Sequence, residues 1–136
     1  MNNCIFCKII EGNIPSYKIF DDQDFYAFLS IGPHRPGHTL IIPKNHVDYF
    51  FDMDDNQIMK LMKLSRILSG AIKRAFNPKS GKVGILVAGL EINHAHLHLI
   101  PLNEHGDTNF TSARHDVSEK EFMDAQSKII SELKKK

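Results

Sequence analysis

The chain has 136 residues, enough for one ordinary domain, and its 42% apolar content is enough to build a core. Seventeen basic residues against sixteen acidic ones leave a formal charge of +1, which argues against a nucleic-acid binder that relies on a broad basic surface. No stretch approaches the ~20 apolar residues of a membrane helix, and Met1-Asn2-Asn3-Cys4 lacks the basic start of a signal peptide, so a single cytoplasmic domain over residues 1–136 is expected, with no membrane partner.

Cys4 and Cys7 are the only cysteines, and in a reducing compartment their spacing suggests metal or redox chemistry more than a structural disulfide. Phe6 to Glu11 reads as a short helix stopped by Gly12, followed by an extended run from Tyr17 to Phe20. The turn Asp21-Asp22-Gln23-Asp24 leads to a second, aromatic-rich strand over Phe25 to Leu29, which the Gly32-Pro33-His34-Arg35-Pro36-Gly37 loop ends. His38 to Pro43, with β-branched Thr39, Ile41 and Ile42, is the third strand. After the acidic start Asp52 to Asp55, the positions Ile58, Leu61, Met62, Leu64, Ile67, Leu68, Ala71, Ile72 and Ala75 recur at three- and four-residue steps. They predict a long amphipathic helix closed by Asn77-Pro78, with Met59 and Met62 packed in the core.

Lys82 to Val87 and Ile92 to Pro101 are expected to form an antiparallel hairpin across Ala88-Gly89-Leu90-Glu91. Ser118 and Glu121 have the spacing of a capping box and open a C-terminal helix, whose final lysines, 134 to 136, need no nucleic acid to explain them. The order strand, strand, strand, helix, strand, strand, helix fits an α+β domain, an antiparallel meander of about five strands with its helices on one side.

His94, His96 and His98 alternate with Ala95, Leu97 and Leu99. On a strand the three imidazoles would line one surface about 6 to 7 Å apart in succession, with the apolar residues on the other. A polar face that happens to be rich in histidine and a metal site using all three rungs are the alternatives. His34, His105 and His115 fall in predicted loops and read as solvated. Neither a P-loop nor a Gly-x-Gly-x-x-Gly element is present.

His94-Ala95-His96-Leu97-His98-Leu99-Ile100 resembles the signature of the histidine-triad (HIT) superfamily. Pro36-Gly37-His38-Thr39-Leu40-Ile41-Ile42-Pro43-Lys44-Asn45-His46 resembles its upstream strand, and Cys4-Ile5-Phe6-Cys7-Lys8-Ile9-Ile10 the opening of its bacterial-type Hint members. The resemblance covers residues 4 to 101 and implies a HIT fold with a long central helix. It also implies a homodimer, with the long helix and a central strand pairing across a two-fold axis so that the sheet is extended.

The implied activity is hydrolysis of nucleoside monophosphate conjugates, purine nucleoside phosphoramidates among them. In that scheme His96 attacks the α-phosphorus and is transiently nucleotidylated, His98 binds phosphate oxygens, His38 helps position the phosphate, and His94 is the first rung of the triad. An imidazole suits this work because its ordinary pKa of about 6.5 leaves it mostly neutral, and neighbouring rings discourage one another's protonation. A dinucleoside polyphosphate hydrolase, a nucleotidyl transferase and a nucleotide-binding protein without activity are the alternatives. In zinc-bearing members the cysteine pair is completed by the residues matching His46 and His94, which implies a closed structural Cys4, Cys7, His46, His94 zinc site.

Two positions depart from the family. Ser30 stands where an aspartate usually holds the ribose, and a serine offers a hydrogen bond but no bidentate carboxylate. Val87-Ala88-Gly89-Leu90-Glu91 replaces a longer loop, so the amide and hydroxyl that contact the phosphate or leaving group are missing. Glu91 there is either an acid or gate in their place, or a solvated turn residue.

Overall fold

The computed structural model describes residues 3–135, so Met1, Asn2 and Lys136, on which the readings of the N-terminus and the basic tail partly rest, lie outside the described residues. Five antiparallel strands, β1 (Lys18–Asp21), β2 (Phe25–Leu29), β3 (Thr39–Pro43), β4 (Lys82–Leu86) and β5 (Leu97–Leu102), form one sheet in the order β1-β2-β3-β5-β4. The first three make a meander. After the long helix the chain passes to the sheet edge as β4 and returns as β5 between β3 and β4.

The helices are α1 (Ile5–Ile10), α2 (Asp55–Phe76) and α3 (Glu119–Leu133). Asp54 caps α2 and exchanges bonds with Gln57 in a capping box, and Asn77, in a left-handed conformation at φ 44, ends it ahead of Pro78. Ser118 and Glu121 form the expected box at the start of α3.

β2 and β3 are buried along their whole length because both faces of the sheet are covered. On one face Phe25, Ala27, Leu29, Ile41, Leu97 and Leu99 pack with Leu61, Leu68 and Ile72 of α2 and Ile129 of α3. Side chains of this kind, fully withdrawn from water, stabilise the fold by roughly 1.5–3 kcal/mol each. On the other face Tyr26, Phe28, Leu40 and Ile42 receive Phe6 and Ile9 of α1, so the short helix lies opposite the two long ones.

Two expectations are corrected. Met59 and Met62 are exposed, at 69% and 43%, as is Ile67 at 53%: the periodic stripe of α2 is wider than the face the sheet covers. The connection between the last two strands is not a four-residue turn but residues 87–96, because Leu86 pairs with His98 and leaves residues 92–96 without a ladder partner. Among the described residues, no helix is long and apolar enough to cross a membrane.

Candidate functional site

β3 and β5 pair with Leu40 opposite His98, which sets His98 on the α1 face of the sheet. His38 precedes β3 on the same face, and its Nε2 lies 2.9 Å from His98 Nδ1. Gly37 brings it there. At φ +96 it turns the chain in a way that favours glycine, and a Cβ at that position would meet the Phe76 ring at 2.7 Å.

The uniform histidine ladder does not form, because β5 begins only at Leu97 and both His94 and His96 precede it. Ala95 instead donates its amide to the Val47 carbonyl at 2.6 Å. His96 and His98 face each other edge on, 5.1 Å between ring centres, closer than a ladder predicts. The His94 ring turns away to the cysteines.

Hydrogen-bond chemistry assigns the protons of this cluster. The His34 amide donates to His38 Nδ1 at 3.1 Å, so that nitrogen carries a lone pair and His38 donates from Nε2 to His98 Nδ1. The His98 proton therefore sits on Nε2. His96 Nδ1 lies 2.8 Å from the His94 carbonyl, which can only accept, so Nδ1 holds a hydrogen and the lone pair of the neutral ring is on Nε2. Burial first, then the neighbouring His98 and His34 rings, push His38 down to about 2. Burial, with His96 and His34 close by, pushes His98 down to about 4. Both rings are neutral at physiological pH.

A second cluster adjoins the first. Cys4 Sγ and Cys7 Sγ lie 3.3 and 3.5 Å from His94 Nδ1, and Cys7 Sγ lies 3.3 Å from His46 Nδ1. The four ligand atoms fall within 4.8 Å of one another. A tetrahedral zinc with bonds of about 2.0–2.3 Å sets its ligand atoms about 3.3–3.8 Å apart, so these residues could hold one. The donor chemistry also fits: His94 Nε2–H donates to the Pro43 carbonyl at 2.8 Å, which turns the Nδ1 lone pair toward the sulfurs. Burial lowers the pKa of His94, opposed by that Pro43 bond, and His46 and His96 lower it further. Cys4 caps α1, its sulfur accepting the Cys7 amide at 3.4 Å.

A cavity of about 210 Å³ reaches His96 and is walled by Tyr49, Phe50, Phe51, Val87 and Gly89. Glu91 is exposed on the 87–96 connection and is not among its walls. Ser30 is brought beside His38: its amide donates to the His38 carbonyl at 2.9 Å, and both residues line a small cavity of about 30 Å³. Its hydroxyl accepts the Gly32 amide at 3.3 Å.

Three parts of the site had no signal in the sequence. His34, expected to be solvated, is 5% exposed and donates from Nδ1 to the Asp107 carbonyl at 2.7 Å. Phe6 sets its ring edge on against His94 and His96, at 5.9 and 5.1 Å. Phe110 does the same to His34 and His98, at 5.4 and 5.2 Å.

Comparison with known proteins shows the family and the fold. The HIT domain family matches residues 11–105. An uncharacterized HIT-like protein of Borreliella burgdorferi is 42% identical over 106 residues, 74% of this chain and 76% of that protein. An adenosine 5'-monophosphoramidase of Saccharomyces cerevisiae is 42% identical over 101 residues, 72% of this chain and 61% of the yeast protein. Among solved structures, a HIT-like protein from Bartonella henselae involved in cell-cycle regulation superposes with a TM-score of 0.83 at 28% identity, covering 97% of both chains.

Proposed function

The chain belongs to the HIT family, and on that premise we propose that it is a nucleotide hydrolase cleaving nucleoside monophosphate conjugates, purine nucleoside phosphoramidates foremost, through a nucleotidyl-histidine intermediate. One observation carries the reading: His96 commits its Nδ1–H to the His94 carbonyl, which in the neutral ring leaves the Nε2 lone pair for attack, and His96 lines a cavity of about 210 Å³.

In this reading His96 Nε2 forms a bond to the α-phosphorus as the bond from phosphorus to the departing nitrogen or oxygen breaks, and the departing atom keeps the electron pair and takes a proton from solvent. Water then attacks the same phosphorus, the bond to Nε2 breaks with its electron pair returning to the ring, and a proton goes back to solvent as the nucleoside monophosphate and neutral His96 are released. His98, whose Nδ1 accepts from His38, donates its Nε2–H to the phosphoryl oxygens. Fixed donors aimed at developing negative charge, together with positioning, supply most of the acceleration in such transfers. His38 holds His98 in the donating tautomer, and Ser30 offers the sugar one hydroxyl in place of a carboxylate. The yeast relative's phosphoramidase activity supports this choice of substrate.

The same reading includes a structural zinc on Cys4, Cys7, His46 and His94. With four protein ligands, it supplies rigidity when bound and leaves no open position for water. It includes a homodimer as well. β4 is one of the two sheet edges, Ile85 and Val87 stand exposed on and beside it, and Met59, Met62 and Ile67 are exposed on α2, so pairing there would cover them and make β4 central.

The test is His96→Ala with an adenosine phosphoramidate. Wild type should show a nucleotidyl adduct by mass spectrometry in a rapidly quenched reaction, and the folded variant neither adduct nor turnover. Turnover by the variant at the wild-type rate would rule the mechanism out.

A further inference from the structure

The β2–β3 loop contains a buried imidazole that the mechanism above leaves unused. His34 is 5% exposed, and two bonds hold it, one to the turn at Asp107 and one to the histidine cluster. Its side chain donates to the Asp107 carbonyl at 2.7 Å, and its amide donates to His38 Nδ1 at 3.1 Å. The acceptor of the first bond is itself fixed. Asp107 Oδ1 accepts Arg35 Nε at 2.7 Å, and Oδ2 accepts the amides of Asn103 and Glu104 at 2.7 and 3.0 Å. Burial would raise this carboxyl, but Arg35 and the two amides outweigh it and hold the group below the usual carboxylate range. The 3-10 turn His105–Thr108 is therefore a rigid anchor.

We propose that His34 is a positioning residue whose imidazole, held on the Asp107 carbonyl, fixes the loop amide that obliges His38 to donate from Nε2 and so obliges His98 to present an Nε2–H to the phosphate. The inference rests on the catalytic reading above for its effect on rate, but not for its effect on the protons. If that amide drifts, His38 is free to carry its hydrogen on Nδ1. Its Nε2 lone pair then faces His98 Nδ1, the His98 hydrogen moves to that side, and a lone pair replaces the donor that meets the phosphoryl oxygens. The loop would stay docked without the imidazole, because Arg35 still reaches Asp107 and the Arg114 amide still donates to the Pro33 carbonyl at 3.0 Å. The side chain thus governs aim rather than folding.

The experiment compares full-length wild type, His34→Leu and His34→Asn. Leucine keeps most of the volume without the donor, whereas asparagine places an amide N–H near the position of the imidazole Nδ1–H. Long-range proton–nitrogen spectra of histidine-labelled protein, recorded without substrate, report the tautomers of His38 and His98. Wild type and His34→Asn should show both rings protonated on Nε2 alone, and His34→Leu a mixture. With an adenosine phosphoramidate, kcat should fall on the order of tenfold in His34→Leu with KM within about twofold, and His34→Asn should recover it. A wild-type His38 protonated on Nδ1, unchanged tautomers in His34→Leu, or a His34→Asn variant as impaired as the leucine one would each overturn the proposal. Absence of turnover in all three proteins would overturn the catalytic reading instead, while the spectra still decide the role of His34.

Discussion

Lowering the pH from 8 to 5 should destabilise this protein through two specific rings. His38 and His98 are 1% and 8% exposed and are held down to about 2 and about 4, so both stay neutral in the folded state at pH 5. In the unfolded chain each returns to a pKa of about 6.5, where at pH 5 roughly thirty protonated rings exist for each neutral one. The unfolded state then binds more protons than the folded state, so stability falls as the pH falls. The loss begins near 6.5 and continues to about 4 for His98 and about 2 for His38. At pH 5 the cost is RT times the logarithm of that ratio, about 2 kcal/mol per ring and about 4 kcal/mol for the pair, a large share of the 5–15 kcal/mol typical of a domain. Most of this cost is set by proton uptake in the unfolded chain.

His98→Asn isolates one of the two contributions. Its side-chain oxygen can still accept the His38 Nε2–H, but it has nothing to titrate. Urea unfolding of both proteins at pH 8 and pH 5, at one fixed zinc concentration so that any metal contribution is shared, should show wild type losing about 2 kcal/mol more than the variant. Equal losses would mean that His98 takes up protons as readily folded as unfolded, and the proton assignment along the His34, His38, His98 chain would be wrong.

Metal analysis after dialysis should find about one zinc per wild-type chain and none in Cys7→Ala, with a lower melting temperature for the variant; full zinc retention by Cys7→Ala would refute the four-ligand site. Gly37→Ala places a Cβ 2.7 Å from the Phe76 ring at a φ of +96, and should cost about 2–4 kcal/mol in urea unfolding. A cost below about 1 kcal/mol would show that the loop before His38 yields easily.

Local chemistry was legible in the sequence. The cap at Ser118, the acidic start before α2, the stop at Asn77 and the three upstream strands depend on neighbours within a few residues, and the structure has them within a residue or so of where the pattern put them. The HIT family itself was legible as a resemblance carried by three blocks together, Cys4 to Ile10, Pro36 to His46 and His94 to Ile100. Features that depend on distant partners were not. A strand at residues 92–96 needs a neighbour, and the register of β4 against β5 gives it none. The burial of His34 depends on a carbonyl seventy-three residues later, which no local pattern encodes. For α2 the helical period correctly located the helix, but Met59, Met62 and Ile67 obey the same period from its outward side.

The place of β5 in the sheet has a kinetic consequence. His38 and His98 are sixty residues apart and are joined through the β3–β5 ladder, with α2 and β4 in the intervening chain. That loop must close before any of its contacts is rewarded, so the pair of rings cannot assemble early in folding. A chain emerging from the ribosome can complete the β1–β3 meander and α2, yet it lacks the His38–His98 pair until β5 has paired with β3.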